Sequence, residues 1–521
     1  MRRGSARNSR SGTNPALRSS GSSRRTTSRG VGPHAQTAQA AQTGRQSRVA
    51  RRSPAARTAK RGGALTDALT SRNALFGLTS EQDFARNLHM VHRSGLPNGL
   101  RVVTVPQPHL HSASVAVLVK VGARHENSRD NGVSHLLEHM LFRGSARYPS
   151  AYALNRAIEE LGGTLHGATH ADFTLFEVML PPANVASGIA ILGELFAKPG
   201  FSELGVEKKI VREEILEYLD EEGREVDPDN LARELMFGTH PLGMTITGSL
   251  DNVEALGVPE LRAHMQRHYV ASNMVLCVAG PVDERAVLQA ALKHFGKLRT
   301  GAPSVAVIAP KIEPRPRGVD RMKCVQSQGS QTDVRLSFAT FGANDPRYLA
   351  LELLVRVIDD GMSTRLHRRI CEELGLAYEV FATLEPYEEA GVLDLGGSIE
   401  HSKTPLFVRS ALGLLAEMCD RPVGKMELDK VKRRYQWQLE ASLDDAQALC
   451  AHYGQRALLS QDGHIGALRE QIASVTAAEI RSVAREVLCR ERLHIVTVGM
   501  LDRAQRKAVR RAMAKLPSRT R

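Results

Sequence analysis

From residue 90 onward, apolar positions recur in short runs separated by turn residues. Residues 100–105 alternate apolar and polar after a Pro97-Asn98-Gly99 turn, and residues 112–121 and 275–279 are nearly continuous apolar runs. Runs of that length and spacing predict buried β-strands. None approaches the roughly 18–20 apolar residues that a bilayer span needs, so no membrane span is expected. Helical periodicity begins at Ser134, which reads as a helix start, and recurs over 151–161, where Gly162-Gly163 closes it. Residues 164–180 read as strands ended by Pro181-Pro182, and 183–196 and 203–220 as helices.

Residues 296–320, with Pro303, Pro310, Pro314 and Pro316, read as a linker. Beyond it the order recurs: a strand at 334–340, helices at 346–358 and 366–374, strands within 379–399, then long helices. Two halves of similar element order, 90–295 and 321–515, predict an α+β chain with a duplicated domain.

Charge changes the picture once it is located. The chain of 521 residues carries a formal +14. Residues 1–66 hold fourteen Arg and Lys60 and no acid, which leaves 55 cations against 56 acids in the rest. Basicity therefore belongs to a tail and not to a folded face, and aromatics are only 4%, which argues against a nucleic-acid-binding fold. The Arg/Ser-rich segment 1–75 is expected to be disordered. Three readings of it stand: an organelle-targeting leader of mitochondrial type, a polycation tail, or an over-extended start ahead of Met90. The compartment stays open with it, cytoplasmic in a bacterium. Cys277, Cys324, Cys371, Cys419, Cys450 and Cys489 form no CxxC pair, which excludes a cysteine zinc cage and offers no disulfide framework.

The segment that carries chemistry is Gly132-Val133-Ser134-His135-Leu136-Leu137-Glu138-His139. On a helix, positions i and i+4 share a face, so His135 and His139 can bind one metal ion. Glu138 projects beside them and can act as a general base without being a ligand. HxxEH alone arises by chance in about 4% of chains this long. A catalytic zinc wants a third protein ligand, and 206–217 (VEKKIVREEILE) offers candidates. Glu207 and Glu214 lie two turns apart on one face, with Ile210, Val211 and Ile215 as apolar positions to bury. One acid would bind the ion while the other orients a histidine.

HxxEH with a Glu about 75 residues on resembles the M16 (pitrilysin, insulin-degrading enzyme, mitochondrial processing peptidase β) family of zinc metallopeptidases, the inverzincins. NGVSHLLEHMLFRGSARYP, LGGTLHGATHADFTLFEVMLP, GVEKKIVREEI, His240-Pro241-Leu242-Gly243 and DDGMSTRLHRRICEELGLAYEV carry the resemblance over about residues 92–510. It implies Zn2+ held by His135, His139 and Glu214, with Glu207 supporting and Glu138 catalytic; the offset from Glu207 selects Glu214 over Glu213. It further implies two α/β-roll domains forming half of a clamshell, a homodimer or a heterodimer with a similar chain, and a peptide or unfolded polypeptide substrate added as a strand along 164–176. Related enzymes hold substrate with a Tyr and an Arg seven residues before it. Here Tyr378 is present but Cys371 stands at the Arg position, with Arg369 nearby as the substitute, and His166 occupies a place where the family often has Asn. A non-catalytic scaffold subunit, or one dependent on a different partner chain, is the competing expectation. His109, His111, His170 and His367 read as surface or structural histidines, and Trp437 as core or interface.

Overall fold

The computed structural model describes residues 90–302, 304, 320–461 and 463–518. The tail expected over 1–75 lies outside them, as do residues 303 and 305–319 of the expected linker. The first sheet contains β1 (His92–Gly95), β2 (Arg101–Pro106), β3 (Ala113–Val119), β4 (Thr164–Thr169), β5 (Thr174–Leu180) and β6 (Met274–Gly280), in the order β1-β2-β6-β3-β5-β4. The second contains β7 (Met322–Val325), β8 (Thr332–Phe341), β9 (Val380–Pro386), β10 (Ala390–Ile399) and β11 (Leu493–Val498), in the order β7-β11-β8-β10-β9. The β2–β6 and β7–β11 pairs are parallel and the others antiparallel. Five strands of the first sheet thus repeat the order and directions of the second.

The helices that position these sheets and the site are α1 (Val133–Leu141), α2 (Val185–Ala197), α3 (Leu204–Leu216), α4 (Pro228–Phe237), α5 (Val258–His268), α6 (Tyr348–Ile358), α7 (Thr404–Asp420) and α8 (Ala446–Leu458). Every residue of β3 is buried, unlike the half-polar pattern of a sheet with one wet face. Val115, Val117 and Val119 point into a core with α1 and α2, whereas Ala116 and Leu118 point into a second core shared with the C-terminal half. The element on that second face is α8, which packs on β2, β3 and β6. Gly454 of α8 lies so close that a Cβ there would stand 2.6 Å from the Leu118 side chain.

The exchange is mutual. α4, from the N-terminal half, packs on β7, β8 and β11, burying Leu231 and Ala232 against Val496 and Val498. α6 and α7 cover the other face of that second sheet. Ionic contacts stitch the seam. Arg124, almost wholly buried, donates to Asp172 at 2.7 Å and to Glu389 at 2.6 Å. Asp172 also accepts the Glu388 N–H at 2.7 Å, and Lys120 pairs with Glu388 at 2.8 Å.

Several local expectations shift. Helix α1 begins at Val133, with Gly132 at φ +98 as its N-cap, so Ser134 lies inside it. Helix α3 covers Leu204–Leu216 and not 203–220, because Glu203 is held at φ +59 and tighter i→i+3 bonds take over from Glu217. Ile210 is 45% exposed, leaving Val211 and Ile215 as the buried apolar positions of α3. The expected helix over 366–374 is mostly a π-helix, Arg368–Glu373, whose wider turn brings Arg368 to Glu373 at i+5. Trp437 is 67% exposed, so it is not a core residue.

Arg124→Ala strands the buried Asp172 carboxylate without its cation. Denaturant unfolding should show a loss of about 3 kcal/mol, and an unchanged midpoint would mean that this seam does not hold the halves together.

Candidate metal centre

Helix α1 presents its polar residues in an otherwise apolar environment. Leu136, Leu137, Met140 and Leu141 are fully buried and fix its roll, which turns His135 and His139 toward α3. Its first turn is satisfied from outside. Glu126 accepts the N–H of Gly132 at 2.7 Å, the N–H of Ser134 at 2.8 Å and Asn131 Nδ2 at 2.9 Å. A carboxylate there complements the unpaired N–H groups and the helix dipole. Burial nevertheless pushes the Glu126 carboxyl up to about 7, with these bonds pulling the other way.

His135 Nε2 and His139 Nε2 stand 3.3 Å apart. Glu214 Oε1 lies 3.5 Å from His135 Nε2, and its Oε2 lies 3.7 Å from His139 Nε2. Among the described residues this is the one group of three His, Cys, Asp or Glu side chains with converging ligand atoms. Donors about 2.0–2.2 Å from a tetrahedral ion stand roughly 3.3–3.6 Å apart, and the separations here, measured to one Glu214 oxygen or the other, are of that size. Glu214 is 32% exposed, which leaves the group open on one side.

Glu207 accepts from His139 Nδ1 at 2.8 Å, which leaves the Nε2 lone pair for an ion. Burial would raise the Glu207 carboxyl, but the bonds from His139 and Arg143 bring it below its ordinary value. Burial opposes charge on His139, yet Glu207, Glu138 and Glu214 together raise its pKa.

Glu138 is 6% exposed and stands outside the triangle. Its Oε2 accepts from Thr169 Oγ1 at 2.6 Å. Burial raises its pKa, against the Thr169 bond and the nearby His139. Thr169 ends β4, the edge strand of the first sheet, and Gly167 on the same strand lies against α1. A Cβ at Gly167 would meet the Phe142 ring at 2.4 Å and Glu138 Oε1 at 2.5 Å, so any larger residue there would displace Phe142 or Glu138.

The family models match in two blocks: Insulinase (Peptidase family M16) over residues 101–249, and the Peptidase M16 inactive domain over 255–435. A Mycobacterium tuberculosis protein named an uncharacterized zinc protease is 30% identical over 407 residues, 76% of this chain and 91% of that one. The chain belongs to peptidase family M16. A second uncharacterized zinc protease, from Streptomyces coelicolor, is 28% identical over 431 residues, covering 81% of this M16 chain and 93% of its own length. The fold is similar to that of a Helicobacter pylori protease (TM-score 0.71, 20% identity, 79% of this chain and 100% of that one). It is also similar to the first half of the periplasmic protease PqqL from Escherichia coli (TM-score 0.65, 19% identity, 83% and 98%). These are half-clamshell folds of the M16 type.

Within this M16 chain the remaining candidate residues lie apart from the triangle. His166 is exposed on β4, opposite Glu177. Tyr378 is 97% exposed, and Arg369 pairs with Glu373 at 2.8 Å. No hydrogen bond or ion pair joins Tyr378 or Arg369 to the triangle among the described residues, and Cys371 is half-buried. No helix among the described residues is long and apolar enough to cross a membrane.

Glu126, Thr169 and Arg143 went unread in the sequence. Arg143 alone had a local signal, its i+4 spacing from His139. Behind α1, three further histidines cluster with tilted and edge-on rings. His264 and His268 of α5 have ring centroids 4.7 Å apart, His125 lies 6.1 Å from His268, and His264 Nε2 meets Ser134 Oγ at 3.1 Å. Burial, aided by Arg124 and Arg267, depresses all three, His125 and His264 to about 3 and His268 to about 4. The unfolded chain therefore binds more protons below its ordinary histidine pKa, and folding stability is lost as pH falls from about 6.5 toward 3–4. The slope reaches about 1.4 kcal/mol per pH unit for each histidine. Across this window the Glu126 carboxyl, up at about 7, works with the opposite sign, so the observable is a difference. Between pH 7 and 5 the metal-free His264→Gln variant should lose stability less steeply than the wild type, and parallel slopes would contradict the assignment.

Proposed function

We propose that the chain is a zinc-dependent endopeptidase that cleaves peptides or unfolded segments. The observation that supports it is the convergence of His135, His139 and Glu214 beside a buried carboxylate, Glu138, that is held by Thr169 and is not one of the three. His135, His139 and Glu214 would hold the ion, and Glu207 fixes the tautomer of His139. Zinc, when bound, would polarise the scissile carbonyl and acidify a neighbouring water. Glu138 takes the proton from the attacking water and delivers it to the leaving amine, a transfer that suits a carboxyl whose pKa is raised. The substrate adds as an extended strand to β4, whose free edge offers unpaired backbone groups next to Glu138. Strand pairing of this kind reads main chain more than side chains, so loose sequence preference follows.

A second reading, a subunit that needs another M16-type chain, draws on Tyr378 and Arg369. Tyr378 is exposed, Arg369 is neutralised by Glu373, and neither reaches the triangle. In this reading a partner chain, either a second copy or a different one, completes the substrate site.

The wild type should bind about one zinc per chain and cut a quenched peptide library. Glu138→Gln should keep the zinc and lose at least about 100-fold in kcat. A wild type that binds zinc and cuts nothing moves the reading to the partner-dependent subunit, with Cys371→Arg as the next variant. A wild type without zinc affinity removes the proposal.

A further inference from the structure

Arg143 directly follows Phe142, the C-cap of α1, four residues on from His139. Its Nε donates to Glu207 Oε2, and its Nη1 donates to Glu203 Oε2 at 3.3 Å. Glu207 keeps its other oxygen, Oε1, for His139 Nδ1. Both acids stand at the start of α3, Glu203 as the N-cap with φ +59 and Glu207 in the first turn. One guanidinium from the helix with the two histidines is therefore tied to the first turn of the helix with Glu214. The arrangement suits both helix ends, a cation after the C-terminus of α1 and carboxylates at the N-terminus of α3. The Arg143 side chain is 15% exposed and that of Glu207 7%, so the pair is shielded from water and salt.

We propose that Arg143 is a positioning residue for the metal centre. It acts in two ways. It pins Glu207 so that His139 keeps its proton on Nδ1 and turns Nε2 to the ion. It also holds α1 against α3 at the separation that brings Glu214 to the two histidines. Two carboxylates on different turns are gripped by one rigid fork, a task that a lysine ammonium meets in charge but not in geometry. The inference rests on the reading of His135, His139 and Glu214 as zinc ligands.

The experiment is zinc affinity of the full-length, metal-stripped chain, measured by competition with a chromophoric chelator. Arg143→Ala should weaken zinc by about 10–100-fold, and Arg143→Lys by an intermediate factor of at least about 3. In a Glu207→Gln background, Arg143→Ala should cost clearly less than it does in the wild type, because only the grip on Glu203 is left to lose. With zinc saturating, Arg143→Ala should lower kcat and leave KM within about twofold. Unchanged zinc affinity in Arg143→Ala, or losses that multiply in the double variant, would overturn the proposal while leaving the ligand assignment intact. If Arg143→Ala does not fold, Arg143→Lys decides: affinity equal to wild type overturns the proposal. A wild type that binds no zinc overturns the ligand reading and this inference together.

Discussion

The candidate centre depends on how closely the backbone around α1 is allowed to approach its neighbours. At the helix start, a Cβ on Gly132 would stand 2.8 Å from the Thr247 carbonyl oxygen, and one on Gly248 would stand 2.5 Å from that of Asn131. Both glycines also sit at positive φ, so the two loops can cross only where neither carries a side chain. On the other side Gly167 admits β4 to the same helix. The helix is thereby clamped at its amino end and along one flank, and its histidines are left facing α3.

Polar groups within this clamp are satisfied in a chain and not as isolated pairs. Glu126 meets the open N–H groups of α1, Ser134 meets His264, Thr169 meets Glu138, and Arg143 meets Glu207, which in turn meets His139. Such a buried network has a high cost if one member is lost, since each group left behind is unsolvated. The same network draws on loop 120–132, three helices and the edge strand. That is why a site whose metal-type residues occupy two short segments needs the whole first half to form it.

Much of this was legible along the chain. The HxxEH spacing and the two-turn offset of Glu207 from Glu214 are periodicities of single helices, and they pointed to His135, Glu138, His139, Glu207 and Glu214, which stand together in the fold. The continuous apolar runs at β3 and β6 were read as buried strands, because a sheet covered on both faces leaves no polar alternation. What escaped was non-local. Glu126 caps α1 across a loop, Thr169 reaches Glu138 from a different strand, and neither leaves a periodic trace. Ser134 was read as the start of α1 by its cap-forming side chain, but the capping group came from Glu126. The substrate-side pair fared differently: Tyr378 and Arg369 rest on the family resemblance alone, and contacts within this chain leave them at the surface.

The exchanged helices bear on the order in which the molecule can be built. When a ribosome has produced all six strands of the first sheet, its far face is still bare. Helix α8, which covers it, ends at Leu458, about 180 residues after the last of those strands. Helix α4 meanwhile emerges early, and its burial against the second sheet waits for β7, β8 and finally β11, whose Val496 and Val498 it covers. Each half therefore completes a core of the other, and neither apolar surface is covered until the opposite half has been made. Either half made alone would leave one such apolar face open to water.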